Sequence, residues 1–148
     1  MIGAKTGDNR VRKLLDQLEL KYEIDNEGDL SVVFGVGEDR SQVVHIDSHT
    51  RYVDRLEIRG VWSMGLRSEA PLHADIANAL LVYNASVDLG AWQLVRDSDS
   101  GVDGEGCFAA FMVFVAADIT AQSLLSVMHA VGSAADEIEE KIAGEDRF

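Results

Sequence analysis

The stretch CFAAFMVFV, residues 107–115, is apolar at every position. Successive side chains of a β-strand point to opposite faces, so this stretch would carry two apolar faces rather than one. A strand with one face in water alternates apolar and polar residues instead. Both faces of this predicted strand must therefore be covered, and this requirement decides how the rest of the fold is arranged.

Two arrangements would cover the second face. In the first, the stretch is a central strand and the helices are divided between the two sides of the sheet. In the second, another protein covers that face, either a second copy of the chain or a client. The sequence leaves both arrangements open. For the second, we predict an interface formed by this strand and its hairpin neighbour, with the residues Trp92, Phe111, Met112, Val113 and Val115.

The elements next to this strand are predicted from their periodicity. Residues 89–95 form a second strand, and the Asp-, Ser- and Gly-rich loop 96–106 joins the two into a hairpin. After the hairpin, Thr120 can cap a last helix of about 23 residues that ends near Gly144. Its apolar positions recur at steps of four and three, at Leu124, Met128, Val131, Ala135, Ile138 and Ile142.

Further upstream, the same patterns predict a helix, a strand meander and a second helix. Asp8 is the candidate N-cap of the first helix, and Pro71 stands near the start of the second. The predicted elements are a helix at about 9–20, a hairpin of strands at 22–24 and 30–36, strands at about 44–48 and 52–62, and a helix at about 72–86. The order is α-β-β-β-(β)-α-β-β-α. We therefore expect an α+β fold, with helices packed on a mostly antiparallel sheet, as one domain over residues 1–148 with an ordered core at about 8–144.

The charge of the chain is acidic and uneven. The net charge is −13, of which −3 belongs to residues 1–74 and −10 to residues 75–148. An acidic half repels phosphate backbones and anionic lipids, so we expect no direct binding of nucleic acid or membrane. Basic residues are scarce in the second half, so we predict that acidic side chains of the last helix are free to steer a basic client. These side chains are Asp136, Glu137, Glu139 and Glu140.

The sequence also bears on the compartment. Residues 1–12 contain no apolar stretch of signal-peptide length, and the longest apolar run, residues 107–117, is too short to cross a bilayer. Cys107 is the only cysteine, so no intramolecular disulfide can form. We therefore expect a cytoplasmic protein.

The strongest candidate for chemistry is the set His45, Asp47 and His49. On a strand these residues point the same way, and two imidazoles with a carboxylate can bind a first-row transition metal. A small metal-dependent enzyme or sensor is therefore the alternative function. The three residues lie opposite Val44 and Ile46, however, so a solvated strand surface is the favoured explanation for them. No other Cys or His completes a familiar metal spacing, and we predict no metal site.

Four other patterns are weaker. The stretch DSDSGVD, residues 97–103, alternates acidic oxygens like a calcium loop but lacks the glycine and glutamate that an EF-hand requires. Gly35 and Gly37 lack the third glycine of a dinucleotide loop. Ser63 lies in GVWSMG, which is one residue too long for a nucleophile elbow. The apolar neighbours of Cys107 disfavour a reactive thiolate. We predict no catalytic residue and no cofactor, and hence no enzyme.

Residues 11–142 resemble the YbjN family of bacterial proteins, sometimes described as sensory transduction regulators. The similar stretches are LDQLELKY at 15–22, LLVYN at 80–84 followed by LGAWQL at 89–94, residues 106–115, and AADEI at 134–138. The resemblance implies a small α+β domain, similar in fold to type III secretion chaperones, often dimeric and without catalytic residues. It also implies a role in holding partner proteins. We therefore predict a chaperone-like or adaptor protein with a regulatory or stress role, which forms a homodimer and binds a client such as a basic nucleic-acid-binding protein.

Overall fold

The fold is known from a computed structural model that describes residues 7–97 and 104–145. Three helices and seven strands make up this part of the chain. In chain order they are α1 (Asn9–Gln17), β1 (Glu23–Ile24), β2 (Leu30–Gly37), β3 (Arg40–Ile46), β4 (Arg51–Val53), β5 (Leu56–Ser68), α2 (Ala74–Ser86), β6 (Ala91–Asp97), β7 (Gly106–Ala116) and α3 (Ala121–Glu145).

The strands form one sheet in the order β1-β2-β3-β5-β7-β6, with β4 paired to β5. Every pairing between the described strands is antiparallel. The apolar strand β7 lies inside the sheet, where it pairs with β5 from Ala116 to Cys107 and with β6 on its other side. The predicted α+β class, with helices on a mostly antiparallel sheet, is confirmed.

All three helices pack on the same face of the sheet, which we call the inner face. Alternate residues of the strands join one buried cluster with residues of each helix, including Leu15 of α1, Leu80 of α2 and Met128 of α3. The ring of Tyr83 in α2 meets the rings of Trp92 and Phe111 at centroid distances of 6.4 and 6.2 Å. The helices are therefore not divided between the two sides, and none of them covers the opposite face, which we call the outer face.

This arrangement corrects the predicted interface. Trp92, Phe111, Val113 and Val115 point to the inner face and are only 6%, 1%, 4% and 6% exposed. These four side chains belong to the core of this chain, where they contact its own helices. Of the five residues predicted for an interface, only Met112 lies on the outer face, where it is half-buried.

The predicted long strand at 52–62 is in fact the hairpin of β4 and β5. Val53 pairs with Leu56 across a two-residue turn, and Asp54 in this turn has a φ of 54°. Asp tolerates the left-handed region better than most residues, so this turn needs no glycine. β5 then continues to Ser68, six residues beyond the predicted end.

The start of α1 is fixed to the sheet by Asp8. Its carboxylate accepts a hydrogen bond from the backbone N–H of Arg10 at 2.7 Å and pairs with the buried guanidinium of Arg59 at 3.1 Å. Burial alone would raise the pKa of Asp8, but the hydrogen bonds from Arg10 and Arg59 outweigh it and hold the pKa below its usual value. Arg59 also donates to the carbonyls of Asp47 and Ser48, which fixes the segment that follows β3.

Candidate protein-binding face

The outer face carries an apolar surface that extends from β2 across β3, β5 and β7 to β6. Several of its side chains are well exposed: Val33 at 65%, Val43 at 41% and Phe114 at 39%. Other side chains of this surface are half-buried: His45, Ile58, Trp62, Met64, Val95, Phe108 and Met112. Large contiguous apolar surfaces on a protein mark sites of interaction with other molecules.

A row of aromatic rings crosses the middle of this face. His45 of β3 stacks on Trp62 of β5 with 4.2 Å between ring centroids and an interplanar angle of 22°. Phe108 of β7 stacks on the other side of Trp62 at 6.2 Å. Burial lowers the pKa of His45, although the nearby charges of Asp25 and Asp29 act in the opposite direction. The three rings form an apolar ridge, in which Trp62 is stacked between His45 and Phe108.

A carboxylate lies beside this ridge. Oδ1 of Asp47 accepts a hydrogen bond from the indole Nε1 of Trp62 at 3.0 Å. Oδ2 lies against Gly60, where an added Cβ would be only 2.6 Å away. Glycine at position 60 thus allows Asp47 to lie flat on the sheet. Burial raises the pKa of Asp47, and the charge of Asp29 raises it further.

Asp47 lines a groove on the outer face, with a volume of about 410 Å³. Gly60 leaves space in its floor, while Met112 and Phe114 form a wall on β7. The guanidinium of Arg51 lies 4.8 Å above the ring of Phe114. The groove thus combines an apolar wall with a half-buried carboxylate and with two arginines, Arg51 and Arg59.

A second cavity, of about 440 Å³, lies where β3 and β5 separate. These strands pair only at His45 with Trp62 and at Ile46 with Val61. Beyond these pairs, the hydroxyl of Ser63 donates to the carbonyl of Val43 at 2.7 Å. Ser63 is 1% exposed, so the candidate nucleophile of the sequence is instead a buried link between two diverging strands.

The structure does not gather His45, Asp47 and His49 into a metal site. Within residues 7–97 and 104–145, no group of three His, Cys, Asp or Glu side chains has the geometry to hold a metal ion. β3 ends at Ile46, so only His45 lies in a strand, and it and Asp47 are both engaged with Trp62. Nearly all of the calcium-like stretch 97–103 lies outside the described residues. Cys107 is 3% exposed, and its thiol donates to the carbonyl of Ala70.

The four acidic residues of α3 have partners within the chain, which corrects the prediction that they are free. Arg40 of β3 pairs with Asp136 at 3.0 Å and with Glu140 at 3.3 Å. The side-chain amide of Gln42 donates to Glu139 at 2.8 Å. The hydroxyl of Tyr83 donates to Glu137 at 3.0 Å, and Lys141 lies 3.8 Å from the same carboxylate. For Asp136, Glu139 and Glu140 the sequence argument failed because it searched for partners only in the second half of the chain, whereas Arg40 and Gln42 lie in the first half.

A further surface with exposed apolar side chains was missed by sequence reasoning. Leu81 and Val82 on α2 are 65% and 73% exposed, and the uncharged side chains of Asn78 and Ala85 are exposed on the same side of the helix. These four residues, at i, i+3, i+4 and i+7, form what we call the α2 stripe. The available signal was that α2 is mostly apolar, with Asp75 as its only acidic or basic residue.

Fold and surface together define an α+β protein with an open apolar sheet face. Comparisons with protein-family models, curated proteins and solved structures found no match to the chain. The resemblance to the YbjN family therefore stays a prediction. None of the helices in the described ranges is both long enough and apolar enough to cross a membrane.

Proposed function

We propose that the chain is a non-enzymatic, cytoplasmic protein that binds a protein client on its outer face, as a chaperone-like or adaptor protein. The observation that carries this proposal is the apolar outer face, which none of the helices within residues 7–97 and 104–145 covers. Burial of a large apolar side chain is worth about 1.5–3 kcal/mol, so several of them can offset an association cost of about 4–15 kcal/mol. A fold similar to type III secretion chaperones, of the YbjN kind, would suit this role.

The net charge of the chain and the apolar ridge both favour a protein over a nucleic acid as the partner. A chain with a net charge of −13 repels a phosphate backbone. Single-stranded nucleic acids bind through bases that stack on exposed ring faces, but the faces of His45, Trp62 and Phe108 are turned to one another. A basic client, such as a nucleic-acid-binding protein, fits the charge of the chain, and a regulatory or stress role would follow from holding such a client.

Substitution of Met112 and Phe114 by glutamate is expected to abolish client binding. Both side chains form the wall of the groove, and two carboxylates there would have to be desolvated on binding. Proteins captured from the native cytoplasm by the wild type should be lost with the Met112→Glu/Phe114→Glu variant. Leu94→Glu is the matched control, because Leu94 is 53% exposed but lies on the inner side of β6. Capture of the same proteins by all three forms would refute the proposal.

We also propose that two copies associate through the α2 stripe. The stripe offers exposed Leu81 and Val82 beside the small side chain of Ala85, which permits close helix packing, and α2 carries a single acidic residue and no basic one. Little charge is therefore brought together when two chains meet at this surface.

Light scattering tests this association directly. The wild type is expected to have about twice the chain mass of 16.1 kDa at micromolar concentration, and Leu81→Lys/Val82→Lys is expected to have the mass of one chain. Val33→Lys, on the outer face, serves as the control and should stay dimeric. A monomeric wild type, or a dimer that survives the double substitution, would contradict the assignment of α2.

A further inference from the structure

We infer that the outer face receives a client segment in which a Lys or Arg side chain is flanked by apolar residues, and that Asp47 pairs with this cation. The inference rests on the proposed function, since it names the chemistry of the segment that binds to the same face. It depends on two features of the groove: a carboxylate without an ion-pair partner and the apolar side chains beside it.

The carboxylate of Asp47 is half-buried without an ion-pair partner. Among the described residues, only Trp62 donates a hydrogen bond to it, and no Lys, Arg or His lies within ion-pair distance of its oxygens. Arg59 is committed to Asp8 and to two backbone carbonyls, and Arg51 lies over Phe114. A buried charge without a partner is costly, so an incoming cation gains an interaction that the free chain leaves unmade.

The side chains around Asp47 suit the stem and the charge of a long basic residue. Met112 and Phe114 provide an apolar wall against which methylene groups of Lys or Arg can lie, while the charged end reaches Asp47. A groove of about 410 Å³ has room for such a side chain and for part of its flanking residues.

The lining of the groove carries charges of both signs. Asp29 and Asp47 line it together with Arg51 and Arg59. Both arginines have other partners in the chain. Burial is the largest cause of the raised pKa of Asp47, and the charges of Arg51 and Arg59 offset it only in part. A basic partner is complementary to the net charge of −13, whereas a second copy of the chain is not.

A display library of random linear peptides, selected on the full chain, tests the inference. Selected peptides are expected to combine aromatic or branched apolar residues with Lys or Arg. A synthetic peptide from this set should bind Asp47→Asn about tenfold more weakly than the wild type, since a hydrogen-bonded charge pair is lost. Asparagine keeps an acceptor for Trp62, and an unchanged thermal unfolding curve will show that the variant is intact.

A double-mutant cycle separates pairing from indirect effects. Replacement of the peptide's basic residue by norleucine should weaken binding to the wild type by a similar factor and leave binding to Asp47→Asn unchanged. Losses that are simply additive, or selected peptides without Lys or Arg, would overturn the inference while the proposed function survives. No selected peptides, or peptides that bind Met112→Glu/Phe114→Glu as well as the wild type, would overturn both. A chain dimer that dissociates in Phe114→Glu would assign the face to a second copy and also overturn the inference.

Discussion

Phe111→Arg is expected to prevent folding, whereas Met112→Arg, one residue along the same strand, is expected to leave the fold intact. Phe111 is 1% exposed and packs its ring against Trp92 at a centroid distance of 5.5 Å. Removal of a buried phenylalanine ring costs about 3–5 kcal/mol even when alanine replaces it. Arginine adds the desolvation of an unpaired charge, and the total approaches the stability of an ordinary domain, which is about 5–15 kcal/mol.

Met112 differs because it points to the outer face. An arginine there can lay its methylene groups on the apolar surface and keep its guanidinium in water. Circular dichroism and urea unfolding will distinguish the two variants: Met112→Arg should unfold cooperatively near the wild-type midpoint, and Phe111→Arg should show no transition. Phe111→Leu is the control for loss of ring volume alone and should fold with reduced stability. A cooperative, native-like transition in Phe111→Arg would refute the assignment of the two faces.

This pair of residues also shows what could not be predicted from the sequence, namely which face of the strand is buried. Residues 107–115 indicated correctly that both faces of a strand are apolar, and the structure has helices on one of them. Alternation normally tells which face is buried, but a stretch without polar residues contains no such signal. The predicted interface therefore took residues from both faces, and four of the five are core residues.

Local patterns were more informative where polar residues interrupt them. The alternation of Val44 and Ile46 with His45 and Asp47 placed the last two on the face opposite the core, and Val44 and Ile46 are indeed fully buried. The Asp8 cap of α1 is present, and Thr120 caps α3, where its hydroxyl accepts from the backbone of Ser123 at 3.2 Å. Such features depend on residues close in sequence, which makes them predictable.

Contacts between distant segments were beyond the sequence argument. Arg40 pairs with Asp136 across 96 positions, and Asp47 with Trp62 across 15. Residue types alone indicated that Asp47 is a possible ligand, but not that Gly60 would leave room for it on the sheet. These contacts and the space at Gly60 depend on which elements are neighbours in the fold, and local periodicity does not predict that.

Gly90→Ala is expected to lower the free energy of unfolding by about 2–5 kcal/mol, which combines backbone strain with overpacking. Gly90 has a φ of 85°, in the left-handed region that L side chains rarely adopt. An added Cβ would lie 2.6 Å from a ring carbon of Phe111 and 2.8 Å from a methyl group of Val113. Both neighbours are buried in the core, so neither can move without displacing the helices.

Urea unfolding measures this loss, and Gly35→Ala provides the control. Gly35 lies in β2 with no atom within 4 Å of an added Cβ, so alanine there should be neutral or should stabilise by about 0.5 kcal/mol. Equal midpoints for the two variants would contradict the packing of residues 89–91 on β7. Because Gly90 contacts the inner set of β7 side chains, folded Gly90→Ala should still bind a client through Met112 and Phe114. A stability defect without a binding defect would thus separate the core of the chain from its outer face.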